Sequence, residues 1–164
     1  MSLEEITLTG DSESLHAAFT KVNLAIAALN AAGTGIRQKL YNTTTAAVAT
    51  ELFTDGSSTQ ITMTAEKTTV FYILLGARQT AGSGGTVGDS ALWRIEGAIK
   101  RDDSDTTAIL GTVVTTPLAA DTGAADWSVA VTADDTNEAL CIKCTGETNK
   151  TINWVASVSL TEAG

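Results

Sequence analysis

The chain is poor in the residues that most enzymes and metal proteins depend on. Its single histidine is His16, its cysteines number two, and its aromatic side chains make up only 5% of the sequence. A serine or thiol nucleophile needs a base beside it, so a chain with one imidazole has almost no room for a hydrolytic triad. Cys141 and Cys144 have CxxC spacing. On a strand their odd offset sends the side chains to opposite faces, which opposes both a disulfide and a shared metal. With no second CxxC or histidine pair to complete a zinc site, they read as structural, buried or half-buried thiols. Positive charge is scarce too: ten Lys and Arg against nineteen Asp and Glu leave a formal net charge of −9. That balance argues against nucleic-acid phosphates or an anionic membrane surface as partners. No apolar run approaches the roughly eighteen residues of a membrane-spanning helix. The N-terminal Met1-Ser2-Leu3-Glu4-Glu5-Ile6 is acidic and lacks the basic start and apolar core of a secretion signal. The expectation is a protein made in the cytoplasm, retained there or released by another route.

What is abundant points to β structure. Twenty-eight threonines and fourteen glycines against one proline suggest many short strands joined by small-residue turns. The length suits one domain with an appendage.

The appendage lies at the N-terminus. Leu15, Phe19, Val22, Ile26 and Leu29 are spaced 4, 3, 4 and 3, placing Phe19 and Ile26 at a and the other three at d of a heptad. Asp11 or Ser12 serves as N-cap and Glu13 suits the helix dipole, while Gly33-Thr34-Gly35 supplies the stop and a hinge. Such a stripe needs a cover, either the chain's own domain or copies of the same helix. Ala18, Ala25 and Ala32 at g, with His16, Asn23 and Asn30 at e, widen the stripe and omit charged pairs that would select a unique partner. With β-branched Val22 at d, this favours a three-helix coiled coil. Leu3, Ile6 and Leu8 precede it as a docking arm.

From Ile36 the period changes to two. Strands are predicted over 38–45, 47–53, 60–65 and 68–75, the last apolar on both faces at Val70–Leu75. That strand should be buried on both sides, inside the domain or between subunits. Residues 80–88 read as a flexible surface loop. Further rows set Trp93, Ile95 and Ile99 inward, then Ile109, Gly111 and Val113, then Trp127, Val129 and Val131, then Leu140, Ile142 and Cys144. The last row is Ile152, Trp154, Ala156, Val158 and Leu160. About eight or nine strands with turns every 8 to 12 residues predict an antiparallel β-sandwich, jelly-roll-like.

Other candidate chemistry is sparse. Gly88-Asp89-Ser90-Ala91-Leu92 has the form of an esterase nucleophile block, but the serine leads into a strand and no Asp-x-x-His follows. Asp102, Asp103 and Asp105, and separately Asp134 and Asp135, form acidic turns. They could attract calcium, but they lack the EF-hand pattern and read first as hairpin turns. His16 could ring a trimer axis and hold a metal or anion, although a solvated helix flank is the plainer reading. The three tryptophans fall on apolar rows and read as core; an exposed one would suggest a sugar platform. The site prediction is therefore no catalytic residue, no metal and no cofactor.

Asp11, Leu15, Ala18, Phe19, Lys21, Val22 and Asn23 resemble the helix near the N-termini of tailed-bacteriophage fibre and other virion proteins. The tail, from Trp93–Arg101 through Trp154–Thr161, resembles the C-terminal β-domain of phage tail-fibre and spike-like proteins. The resemblance implies a non-enzymatic virion protein assembled in the host cytoplasm, a homotrimer with a docking arm (1–11), a coiled-coil stalk (12–35) and a β-sandwich head (36–164). Within that class the expectation is a capsid decoration protein or short head fibre, its arm bound to phage capsid or tail proteins. The alternatives are a short tail-fibre tip that binds a host-surface receptor or glycan, and a hydrolase or lyase acting on cell-surface polymer.

Overall fold

Alternation builds the strands. In β9 (Lys150–Ala163) Ile152, Trp154, Ala156, Val158 and Leu160 are buried, while Asn153, Val155 and Ser157 are exposed. The computed structural model describes residues 36–164. The expected arm residues Leu3, Ile6 and Leu8 and stalk residues Leu15, Phe19, Val22, Ile26 and Leu29 lie outside the described residues, as does His16.

Before β9 the chain forms β1 (Ile36–Thr44), β2 (Ala49–Glu51), β3 (Ile61–Thr62), β4 (Lys67–Gly82), β5 (Ser90–Arg101), β6 (Thr107–Ala120), β7 (Ser128–Asp134) and β8 (Ala139–Thr145). Every pairing is antiparallel. A five-stranded sheet has the order β1-β9-β4-β5-β6. The second sheet is centred on β8. Because a strand has two edges and β7 pairs with all of β8, β2 and β3 share the remaining edge, opposite Lys143–Thr145 and Ala139–Leu140. The inner faces of the two sheets meet in one hydrophobic core, Leu40, Phe71, Ile73, Trp93, Ile95 and Trp154 from the first and Ile61, Val131, Leu140 and Ile142 from the second. Burial of these side chains, about 1.5–3 kcal/mol each, drives the sheets together.

The mainly β, antiparallel prediction agrees with this arrangement, and so do the inward rows on β5, β8 and β9. Trp93 stacks on Trp154 at 5.8 Å, and Trp127 lies tilted at the same distance. All three are core, as expected.

Several details differ. Strands 47–53 and 60–65 shrink to three and two residues, because the seven-residue β8 offers them only one edge between them. Residues 80–82, expected in a loop, continue β4: the register shifts at Thr80, and Ala81 and Gly82 pair with Thr151 and Lys150. Gly111 is exposed with φ +76°, beside a register shift in which β6 carries extra residues opposite Gly97. Val70–Leu75, expected to be buried on both sides, is buried on one face only within residues 36–164. Phe71, Ile73 and Leu75 are buried, but Val70 is 55% and Leu74 47% exposed. The second sheet covers one face of β4, and nothing in residues 36–164 covers the other.

Candidate functional site

The outer face of the five-stranded sheet is the candidate site. Residues paired across antiparallel strands project to the same side, so the register assembles this face row by row. One row runs Tyr41, Val155, Gly76, Leu92 and Ala119; the next Lys39, Ser157, Leu74, Arg94 and Thr116. A third has Arg37, Ser159, Tyr72, Glu96 and Val114, and a fourth Thr161, Val70, Ala98 and Leu110. Tyr41, Val70, Tyr72, Leu74, Leu92, Leu110, Val114 and Val155 are all among the exposed large hydrophobic residues. Monomer surfaces seldom gather so many on one flat face.

The charges on this face are nearly all positive. Arg37, Lys39, Arg78, Arg94 and Lys100 share it with a single acid, Glu96, which pairs with Arg94 at 3.2 Å. The Lys39 ammonium lies 5.3 Å from the Tyr41 ring centroid. A chain of net charge −9 thus presents one basic, apolar face.

Where Gly76 has no side chain the face dips into an open groove of about 400 Å³, walled by Leu92 and Val155 with Arg78, Ser90 and Asn153 along it. On the inward side of the sheet, at the end of β4 and the start of β9, stand two buried polar residues the sequence reading missed. Gln79 is fully buried, and its amide donates to Gly84 O at 2.6 Å and Ala81 O at 3.3 Å. Lys150 is buried as well, its Nζ donating to Gly123 O at 2.7 Å and to Glu147 at 2.5 Å. A polar residue at an inward β position was the available signal: Gln79 continues the Phe71, Ile73, Leu75, Ala77 row and Lys150 begins the Ile152 row.

The other sequence candidates lie elsewhere. Ser90 opens β5, as the block's position before a strand implied, and its Oγ donates to Gly88 O at 2.8 Å. The neighbouring Asp89 accepts from Thr86 N at 3.0 Å, so both side chains serve the turn. Cys141 and Cys144 occupy opposite faces of β8, and both are buried. Burial, with Glu51 nearby, pushes the Cys141 thiol up to about 11, and burial alone raises Cys144 further. Neither is a thiolate at neutral pH.

The acidic turns use their carboxylates internally. Asp102 accepts from Ser104 N and Oγ and from Thr106 N, at 3.1, 2.8 and 2.9 Å. The Thr106 amide, then the Ser104 hydroxyl, hold it below the usual carboxylate range. Asp134 is lowered to about 2, chiefly by the Asn137 side-chain amide and then by Gln60. Asp55, in the turn between β2 and β3, accepts from the amides of Ser57, Ser58 and Thr59 and is lowered chiefly by Ser58. These are Asx-type turns. Among the described residues no group of three or more His, Cys, Asp or Glu is placed to hold a metal.

No protein-family model matches this chain, and no curated protein matches it. Among solved structures it is similar to the Acinetobacter phage vB_ApiP_P1 tailspike protein, over 77% of this chain and 22% of that one, at 12% identity and a TM-score of 0.33. The chain therefore spans about a fifth of the length of the tailspike it matches, the share being 22%.

Proposed function

We propose that this chain is a non-enzymatic structural protein of a phage virion, a homotrimer whose N-terminal arm docks on the particle and whose residues 36–164 form a sandwich head. Within that class the favoured role is a capsid decoration protein or short head fibre. What supports the reading is the outer face of the five-stranded sheet, where aliphatic, aromatic and cationic side chains lie in register on rigid strands. Such a face suits contact with another protein surface. The phage context comes from the resemblance carried by residues 11–23 and by the tail from 93 through 161. Three arms sharing one stalk would bind the particle together, so weak single contacts reinforce one another.

The test has two parts. Light-scattering mass of the full-length chain should correspond to three copies, and Phe19→Asp with Ile26→Asp should lower it. Purified protein should then co-sediment stoichiometrically with phage heads. Glycan binding without head binding would shift the role to a tail-fibre tip. Turnover of a surface polymer that is lost in a carboxylate variant would make the chain an enzyme and remove this reading.

A further inference from the structure

We propose that the outer face of the five-stranded sheet is a head-to-tail interface between copies of this chain, the basic, apolar face of one copy receiving the acidic turns of the next. The inference deepens the homotrimer reading above and rests on it.

Two observations select the occupant. Val70, Leu74, Leu110 and Val114 are aliphatic and about half exposed on a rigid sheet, so the occupant must be a folded surface broad enough to exclude water from them. An anionic polymer would satisfy the cations and leave these side chains in contact with water. The charge pattern then fixes the geometry. Arg37, Lys39, Arg78, Arg94 and Lys100 would face one another across a two-fold axis, which disfavours self-pairing of the face. A heterologous contact avoids this, because the rest of the described chain is acidic and the contact can close into a ring about a three-fold axis.

The structure also gathers the acidic counterpart. Arg101 ties two turns together, its Nη2 lying 2.8 Å from Asp105 and its Nε 3.7 Å from Glu138. Thr107 donates its amide to Asp135 at 2.5 Å and its hydroxyl to Glu138. The 102–105 and 134–138 turns therefore sit side by side, with Arg101 between Asp105 and Glu138, and together they carry Asp102, Asp103, Asp105, Asp134, Asp135 and Glu138. Charge complementarity places that end on the neighbouring copy's sheet face.

Carbodiimide cross-linking joins a lysine directly to a contacting carboxylate and tests this contact. Full-length unlabelled and 15N-labelled chains are unfolded and refolded together, and recovery of the starting mass is checked by light scattering. Expected are mixed-isotope peptide pairs joining Lys39 or Lys100 to the 102–105 or 134–138 turn. In Leu74→Asp with Leu110→Asp, which keeps every lysine and carboxylate, these pairs should be lost while circular dichroism stays β-rich. Tyr72→Ser, a milder change, should lower their yield at least several-fold.

A trimeric wild type without mixed pairs overturns the contact and leaves the stalk standing. Unchanged mass in Phe19→Asp with Ile26→Asp, with mixed pairs intact, removes the stalk and keeps the contact. A monomeric wild type overturns both. If the native assembly binds heparin and Lys39→Glu with Lys100→Glu abolishes that binding, the face is open to polyanions and the head-to-tail contact falls.

Discussion

The indole Nε1 of Trp154 donates a 2.9 Å hydrogen bond to the hydroxyl of Thr44, and both groups are buried. The bond joins β9 to the end of β1 in the middle of the tryptophan cluster. Thr44→Val keeps the volume but leaves a buried donor unpaired, so it should cost about 1–3 kcal/mol, whereas Thr44→Ser should recover much of that. Urea unfolding followed by tryptophan fluorescence gives both values. Equal stability of the Val and Ser variants would show that the hydrogen bond contributes nothing.

Phe71 and Gly97 are directly paired across β4 and β5, and the Phe71 ring fills the space where a side chain at 97 would sit. A Cβ at position 97 would lie 2.5 Å from Phe71 Cζ, and the ring, fully buried, has nowhere to swing. Gly97→Ala should therefore destabilise by about 1–3 kcal/mol through overpacking. In a double-mutant cycle, Phe71→Leu should relieve part of that penalty. Strict additivity of the two changes would count against the contact.

Lys150 ties the 3-10 turn Thr122–Ala124 and Glu147 to the start of β9. Lys150→Met retains the aliphatic stem and removes both hydrogen bonds. Removing the donor from the half-buried Gly123 carbonyl should cost about 1 kcal/mol. Faster proteolytic cleavage at residues 83–88 should accompany the loss, since the Lys150 stem also packs against Gly84 and Gly85.

Acid should weaken the fold through its turns. Asp134 has a folded-state value of about 2 against an ordinary 3.8, because Asn137 and Gln60 donate to its ionised form. A depressed value contributes stability that is present above the ordinary value and lost as pH falls through the folded one. Melting temperature should therefore drop between about pH 4 and pH 2, by a modest amount because the group is solvated. Asp134→Asn should flatten that part of the profile. An identical slope in the variant would assign the acid loss to other carboxylates.

Alkali acts through Cys141, whose thiol is raised from 9.0 to about 11. A raised value stabilises the fold below pH 9 and loses its contribution as pH climbs through 11. Both thiols should be inert to a disulfide reagent at pH 8 in the native protein and react fully once urea unfolds it. Rapid reaction of either in the native state would contradict their burial.

Much of the architecture was legible because a strand has a period of two. Trp93, Ile95, Leu140, Ile142, Trp154 and Val158 could be placed on inward rows from their spacing alone, and so could the odd-offset separation of Cys141 from Cys144. Lengths were less legible. Periodicity does not say that β2 and β3 must share one edge of β8, nor that β4 runs on through Gly82. Gln79 and Lys150 broke the inward pattern, and only their carbonyl and carboxylate partners across the fold explain why.

The sequence by itself determined that this chain is β-rich and acidic, with one imidazole and with an apolar stripe at its N-terminus that needs a cover. Those are properties of composition and of neighbours along the chain. Which face of Val70–Leu75 is buried depended on where the second sheet lies, and that is settled only by non-local pairing. The net charge of −9 likewise concealed how charge is distributed. Arg37 and Lys39 on β1, Arg78 on β4 and Arg94 and Lys100 on β5 are far apart in sequence, and antiparallel register brings them to one surface. A sum over residues carries no positions, so the basic face of an acidic protein exists only in the folded structure.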